Sequence, residues 1–489
     1  MPWRRTGARV DAPWRRAVRR GRRALTAAKA APATVSLFAR GNGEPRPHPR
    51  GTATRVDAPW RRTGRDSRRA LTATRAAPAT VSTSARSDRE PHPHPQPYPY
   101  PRPAGTSVDR PWRRALLCGL GVFAASRAGL AAVSVFAWIG DPRPRGGAKA
   151  VARLWATQYD SPWFTAIAEH GYQRTADASP AAFFPLYPAL IRLCTPLTLG
   201  RSWAAALLVA NAALLAALIV LFRLAERELG EAAAGRTIFY LVAFPTGFFL
   251  SAAYNEGLFI ALAAATVYCL RRERWWWAGA LGGLAAATRS AGILLLGAFV
   301  FEYIRVRRSV VPRWEIVAGL LIPAGLGAVM IVDRFAYGDP LAFSHTQAAH
   351  WGRHLAWPWQ APIDAARAPG RPFTEIWTHN VLELATVMFA LVLLVLALAG
   401  PWRMRRDQLV LPLFGAALLV FMISFPSRYT GDIPYPLYSA SRIGLEIFPA
   451  FMLLGRLGAK PSLERVVLLV FLTAQGVLAA HFLHSGWVA

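Results

Sequence analysis

The sequence is poor in acidic residues and in cysteine. Of its 489 residues, 27 are Asp or Glu, 57 are Lys or Arg, and three are cysteines. Cys118, Cys194 and Cys269 lie far apart in apolar segments. That spacing excludes a disulfide framework or a cysteine metal site, and we interpret the three as small packing residues. The P-loop, GxGxxG, GxSxG and HExxH patterns are also missing, so soluble-nucleotide chemistry has no support.

The chain is instead rich in long apolar runs, with 53% hydrophobic residues, 18 Trp and 25 Phe. A helix that crosses the hydrocarbon core of a bilayer needs ~20 apolar residues. The runs are continuous rather than alternating, which argues against strands. We therefore predict an all-α, polytopic membrane protein with roughly nine to twelve transmembrane or re-entrant helices. The apolar segments are 115–138, 183–199, 203–222, 237–252, 257–270, 275–304, 315–332, 381–399, 409–425, 439–455 and 464–483.

Two of these segments are predicted to be irregular. Segment 183–199 contains Pro185, Pro188 and Pro196, which favours a re-entrant or interfacial structure. Segment 275–304 is long enough for two short helices, one on each side of Arg289.

Basic clusters predict the orientation, because Lys and Arg accumulate in cytoplasmic loops. The clusters occupy residues 271–274, 305–313, 403–406 and 456–465. Loops 140–182, 334–380 and 426–438 are then expected on the outer face. We expect a multi-pass protein of the plasma membrane.

The first 110 residues are predicted to be a disordered cytoplasmic tail. Residues 1–114 hold 26 Lys or Arg and 7 Asp or Glu, and RVDAPWRR at Arg9 recurs at Arg55. Repeats of Arg, Pro, Ala and Thr cannot bury a core. No apolar stretch of a secretory leader follows Met1. The charge could bind nucleic acid, but the tail lacks a fold or a stacking pattern for it, so no nucleic-acid partner is expected.

The most informative stretch is QYDSPWFTAIAEHGY, residues 158–172, continued by AAFFPLYPALIRL at 181–193. Carboxylates beside a membrane core are costly unless they have a partner or a function. The acidic residues of this loop are Asp160, Glu169 and Asp177.

Asp160 is the leading candidate for a catalytic group. Glycosyl transfer to a hydroxyl requires a general base within hydrogen-bond reach of that hydroxyl, and a carboxylate can serve. The alternative is that Asp160 caps a helix over residues 161–170 with Pro162 in its first turn. Both interpretations can hold at once. Glu169 could orient a donor ligand or simply face water.

Charges inside apolar segments give a second set of candidates. Glu256 and Arg289 are expected to pair or to face a water-filled cavity. The same two possibilities apply to Arg127 and Arg442. Arg289 could bind the phosphate of a lipid-linked donor through charge-assisted hydrogen bonds. The alternative is a buried structural ion pair.

The loop 334–380 carries four Trp and four His. Trp is typical of the membrane interface, and aromatic faces also stack on sugars. His350 and His354 have the i, i+4 spacing of a possible metal-ligand pair. With His345 they do not form a clear metal site, and we expect no metal or other cofactor.

These motifs resemble the PIG-V family of mannosyltransferases and its bacterial relatives. The resemblance rests first on residues 158–172 and 181–193. SAAYNEGLF, AAATRSAGIL, HTQAAHWGR and YSASRIGLEIFPAF follow in the same order, within about residues 115–455. The family usually has Trp where this chain has Tyr159, and a Tyr-Thr-Glu-Ser pattern where this chain has Tyr254-Asn255-Glu256-Gly257.

The resemblance implies a GT-C glycosyltransferase whose active site faces outward. The implied donor is a polyprenyl-phosphate sugar, usually mannose, in a membrane lipid environment, and the acceptor is an unidentified hydroxyl. Asp160 matches the position of the family's acidic base, and the transfer would be inverting. A transporter or flippase for lipid-linked sugars is the alternative. The predicted site residues are Asp160 and Glu169 for catalysis, and Tyr159, Trp163, His170, Phe184, Tyr187, Tyr254, Glu256, Arg289, Gln347, Trp351 and Arg442 for substrate binding.

Overall fold

A computed structural model describes residues 109–139, 147–173, 180–307, 313–368, 371–372, 374–427 and 435–488. Throughout these ranges the regular structure is helical, which confirms the all-α prediction. The predicted tail, residues 1–110, lies outside the described residues apart from its last two, which open the first helix. Asp177 lies outside them as well.

The described chain forms seventeen α-helices joined by short 3-10 turns. The first six are α1 Asp109–Ile139, α2 Ala148–Thr157, α3 Ser161–His170, α4 Leu186–Cys194, α5 Ser202–Leu229 and α6 Glu231–Ala243. The next six are α7 Glu256–Leu270, α8 Trp275–Ala286, α9 Leu295–Arg307, α10 Leu321–Tyr337, α11 Ala342–Trp351 and α12 Gln360–Arg367. The last five are α13 Glu375–Leu398, α14 Val410–Ile423, α15 Ala440–Ile443, α16 Phe448–Leu457 and α17 Pro461–Leu483.

Five helical spans of the described chain are long and apolar enough to cross a membrane. They are Pro111–Ile139, Ser202–Leu229, Trp314–Tyr337, Glu375–Leu398 and Pro461–Leu483. Shorter apolar helices cover Glu256–Leu270, Val410–Ile423 and Phe448–Leu457. Each apolar segment of the sequence coincides with one or two of the seventeen helices, as expected for a multi-pass membrane protein.

Both predicted irregularities are present. Segment 275–304 contains α8 and α9, separated by Arg289 and a 3-10 turn over Ser290–Leu294. In segment 183–199, α4 spans nine residues, which is about 14 Å at 1.5 Å per residue and too short to cross a bilayer.

The basic clusters meet at one end of the helices. Arg271 binds Glu302 at 3.0 Å and Asp407 at 3.3 Å, and Arg305 also binds Glu302. Arg456 donates a hydrogen bond to the Trp402 carbonyl at 3.4 Å. The described residues of the four predicted basic clusters are thus linked at one end of the helices.

Candidate active site

A cavity of about 610 Å³ lies at the other end of α7 from Arg271. Its polar lining comes from the turn before α3, the start of α7, the residues after α8, and the segments around α11 and α15. Its remaining wall is apolar, with side chains that include Phe184, Phe343, Phe421, Met422 and Phe425. The cavity thus combines fixed charges with surface suited to a lipid chain.

Asp160 enters this cavity from the turn that precedes α3. Tyr159 has a φ of 51°, an uncommon left-handed conformation for a residue other than glycine. Helix α3 begins after Asp160 with Pro162 in its first turn, as predicted. The carboxylate makes no capping hydrogen bond, however. Its Oδ2 lies 2.6 Å from Nη1 of Arg442, so the side chain serves an ion pair rather than a helix cap.

Arg442 reaches Asp160 from the short helix α15. Ser439, at the N-terminal cap of α15, also has a left-handed φ, 66°. The Arg442 guanidinium lies 5.0 Å from the centroid of the Tyr254 ring. Its Nε is 3.3 Å from Oε1 of Glu256. Left-handed residues thus lie one position before Asp160 and three positions before Arg442, and such backbone geometry is common at functional sites.

Glu256 connects this pair to a second arginine. Its Oε1 lies 2.9 Å from Nη1 of Arg289, and the same Nη1 is 2.8 Å from Oε1 of Glu446. The predicted pairing of Glu256 with Arg289 is present. The five side chains form an alternating series: Asp160, Arg442, Glu256, Arg289, Glu446.

Arg353 is a third guanidinium on the cavity wall. Its Nη1 donates to the Phe425 carbonyl at 3.2 Å, and its Nη2 donates to the Tyr438 carbonyl at 3.1 Å. Burial, followed by the positive charge of Arg442, lowers the pKa of Arg353 to about 10. The side chain is thus held in place by main-chain oxygens.

The C-terminal residues hold the segments that carry these groups. The Trp487 ring stacks on Tyr438, with centroids 5.0 Å apart. Ser485 accepts a hydrogen bond from the Gln158 side chain at 3.2 Å. One short segment thereby contacts both the turn before Asp160 and the loop before Arg442.

Eight of the thirteen predicted site residues line the cavity. They are Asp160, Phe184, Tyr254, Glu256, Arg289, Gln347, Trp351 and Arg442. The structure brings these residues together from distant parts of the chain.

Three aromatic residues of the predicted set pack outside the cavity lining. The Trp163 ring stacks on Phe183 with centroids 5.7 Å apart, and the Tyr187 hydroxyl donates to the Ala206 carbonyl at 2.9 Å. The Tyr159 ring packs near Phe482 at 5.9 Å. Phe183 lines the cavity, so the Trp163 ring supports the cavity wall from behind.

Glu169 and His170 lie outside the cavity lining as well. Their side chains are 48% and 64% exposed, and Glu169 accepts a hydrogen bond from the Ser202 hydroxyl. His170 Nε2 is 3.5 Å from the Glu169 carboxylate. Glu169 therefore has its own polar environment, away from Asp160.

Sequence reasoning missed several cavity residues. Glu446 and Arg353 lie within motifs quoted for the resemblance, yet neither was assigned a role. Glu446 is a charge in an apolar segment, so the rule that identified Glu256 would have found it. The same rule would have found Glu383, a buried carboxylate outside the cavity lining that accepts a hydrogen bond from the Ser441 amide.

The histidines of loop 334–380 have separate partners. His345 Nδ1 lies 2.6 Å from Oδ2 of Asp339. The Leu341 amide, with His345, lowers the pKa of Asp339. His350 and His354 contact the carbonyls of Thr346 and Gly352. Across the described ranges, groups of three metal-ligating side chains do not occur.

Comparison with known proteins supports the resemblance. Residues 148–309 match the model of the family described as Mannosyltransferase (PIG-V). This segment includes Asp160, Glu256 and Arg289. The predicted resemblance is therefore confirmed for the part of the chain that contains three of the five charged side chains.

Curated relatives match over a shorter part of their length. Mouse GPI alpha-1,6-mannosyltransferase 2 is 30% identical over 195 residues, which cover 37% of this chain and 38% of the mouse protein. The rat protein of the same name is 34% identical over 153 residues, covering 29% and 30%. The match thus spans less than half of the length of either relative.

Solved structures show a weaker likeness. The crystal structure of ArnT from Cupriavidus metallidurans bound to undecaprenyl phosphate is 16% identical, with a TM-score of 0.42. That alignment covers 67% of this chain and 58% of ArnT. The apo form of ArnT aligns with a TM-score of 0.39 and 14% identity, covering 63% and 54%.

Proposed function

We propose that this chain, whose residues 148–309 match the PIG-V mannosyltransferase family, transfers a mannosyl group from a polyprenyl-phosphate donor to a hydroxyl acceptor. One observation carries the proposal. Asp160, within the matched segment, lies in a charged cavity with an apolar wall and is held there by Arg442 at 2.6 Å. A membrane-embedded donor needs both features, a lipid-compatible surface and fixed charges.

Asp160 acts as the general base in this proposal. Arg442 binds Oδ2 of the carboxylate, which leaves Oδ1 to accept the proton of the acceptor hydroxyl. As the hydroxyl oxygen bonds to the anomeric carbon, the bond from that carbon to the donor phosphate breaks. Polyprenyl phosphate leaves with the electron pair, and attack from the opposite face inverts the configuration.

Arginine side chains neutralise the leaving phosphate. A preorganised guanidinium stabilises charge that develops in the transition state. A phosphate leaving group needs little protonation, so one base suffices and we propose transfer without a metal ion. Arg289 is the cation that the sequence suggests for this task. Its contacts with Glu256 and Glu446 also suit it to hold the start of α7 in place.

The first prediction concerns Asp160→Asn. Removal of a general base typically lowers the rate by roughly 10²- to 10⁴-fold. Asn keeps the size of the side chain and can still accept a hydrogen bond from Arg442, so the fold should persist. The measurement is transfer from labelled polyprenyl-phosphate mannose in membranes, with protein amount and thermal unfolding compared in parallel.

Glu169→Gln is the matched control, because it removes a nearby carboxylate outside the cavity lining. It should keep near wild-type turnover. Analysis of the labelled product separates transfer from transport, since a flippase relocates the donor without forming a glycosidic bond. Rapid transfer by Asp160→Asn would eliminate Asp160 as the base.

A further inference from the structure

The three cavity arginines differ in their partners. Arg289 lies between Glu256 and Glu446, and Arg442 lies between Asp160 and Glu256, all within 3.3 Å. The carboxylates already neutralise both arginines. A phosphate bound to either arginine would therefore lie beside these carboxylates, and like charges in a poorly solvated site repel each other.

Arg353 has no carboxylate partner of this kind among the described residues. Among the described residues, its side chain has no carboxylate within 4.0 Å, and two of its N–H groups bind the carbonyls of Phe425 and Tyr438. A guanidinium carries five N–H donors. Three donors therefore remain for a ligand, while the two main-chain bonds fix the plane of the group.

We propose that Arg353 binds the phosphate of the lipid-linked donor. This inference deepens the proposed function and rests on it. The planar fork of a guanidinium suits bidentate binding of phosphate oxygens. Arg289 and Arg442 then position Glu256 and Asp160, while Arg353 supplies the cation that meets the substrate.

The surroundings of Arg353 support a lipid phosphate. Phe425, whose carbonyl holds Arg353, also lines the cavity, together with Leu355 and Phe421. An isoprenoid chain can bury apolar surface against these side chains. The lowered pKa of Arg353 agrees, because a cation in this environment gains from a neighbouring anion.

The test compares lipid ligands that differ only at the head group. Polyprenyl phosphate and the corresponding polyprenol are bound to purified full-length protein in nanodiscs. The wild type should prefer the phosphate, and Arg353→Gln should lose roughly 10- to 100-fold in affinity for it while binding the alcohol as before. In the transfer assay, Arg353→Gln should raise the donor KM more than it lowers kcat.

Arg367→Gln is the matched control, since Arg367 is exposed on α12 in the same loop. It should keep the wild-type preference. If the wild type and Arg353→Gln prefer the phosphate equally, the assignment of Arg353 is wrong, while the proposed donor is unaffected. A wild type without any preference overturns the proposed donor itself.

A second measurement avoids substitution and so cannot fail through misfolding. An arginine-specific dicarbonyl reagent is applied to the wild type, and modified positions are located by mass spectrometry. Polyprenyl phosphate should protect Arg353, whereas polyprenol and inorganic phosphate at the same concentration should not. Equal modification in all samples, or equal protection by inorganic phosphate, would contradict a lipid-phosphate site at Arg353.

Discussion

At the residue scale, the cavity is defined by charges that alternate in sign. The side chains of Glu256 and Glu446 are each 1% exposed, and ionised carboxylates at such depth require partners. Arg289 and Arg442 provide them. The series therefore ties α3, α7 and α15 together through side chains rather than through main-chain hydrogen bonds.

Arg289→Gln tests the structural role of this series. The substitution leaves Glu446 without its arginine and Glu256 with Arg442 alone. Breaking a buried ion pair by removing one partner typically costs about 3–5 kcal/mol. Arg353→Gln, which separates no ion pair of the described residues, should cost less. Thermal unfolding of both purified variants in detergent measures the difference.

A second substitution controls for the loss of the arginine itself. Arg289→Gln combined with Glu446→Gln removes both members of one pair and should recover part of the lost stability, because neutral partners are cheaper to bury. Equal stability of Arg289→Gln and wild type would show that Arg289 does not hold the series together.

The two ion pairs also show how far sequence reasoning extends. The Glu256–Arg289 pair was predictable, because charges in apolar segments must find partners. The Asp160–Arg442 pair joins residues 282 positions apart, and local patterns carry no information on such a contact. Arg353 was not predicted for a different reason. It lies in a loop, where a charged side chain is ordinary and does not indicate a buried partner.

At the element scale, composition predicted the long helices and missed three short ones. The run around Arg289 correctly indicated a break between α8 and α9. Helices α2, α11 and α12 lie in predicted loops and span ten, ten and eight residues. Helices of this length depend on packing against the rest of the protein, so their own sequences predict them poorly.

Close contact between α8 and α10 fixes the helix that leads to Arg289. A Cβ built on Gly325 of α10 would lie 1.9 Å from the Gly283 carbonyl oxygen, and one on Gly283 would lie 2.4 Å from the Leu321 carbonyl oxygen. Gly279 and Gly283 form a GxxxG spacing, which allows membrane helices to approach closely. Glycine is therefore required for packing at this crossing.

Gly325→Ala should force α8 and α10 apart. The new methyl group meets main-chain atoms that cannot rotate away, so we expect a loss of about 1–3 kcal/mol, as for overpacked cores. Because α8 precedes Arg289, transfer activity should fall too. Gly327→Ala is the matched control on the same helix, since its Cβ would meet nothing within 4 Å.

The control should be neutral or stabilising, because Ala is favoured over Gly in helices by about 1 kcal/mol. Thermal unfolding and the transfer assay measure both variants. Similar unfolding temperatures for the two would contradict a role for this crossing in fixing α8.

At the scale of the whole molecule, two charged centres lie at opposite ends of α7. Glu256 begins this helix in the cavity, and Arg271 follows its last residue at the basic end. Fifteen helical residues span about 22 Å. Arg271 there binds Glu228 through Nε at 2.8 Å. The protein thus separates an alternating set of charges from a predominantly basic end.

This separation predicts an orientation in the membrane. Because basic loops stay in the cytoplasm, we propose that the cavity opens toward the outer face. Single cysteines test the proposal in a background where Cys118, Cys194 and Cys269 are replaced by Ala. Ala366→Cys lies on α12, in the loop that carries Arg353, and Ala232→Cys lies near the start of α6; both positions are exposed.

In intact cells, an impermeant thiol reagent should label Ala366→Cys and leave Ala232→Cys unmodified. After permeabilisation both should react, which controls for local accessibility. The reverse pattern would place the cavity on the cytoplasmic side. In that case the donor would have to present its sugar from the cytoplasmic leaflet, and the basic end would face outward against the charge rule. The labelling therefore decides from which side of the bilayer the donor phosphate reaches the cavity.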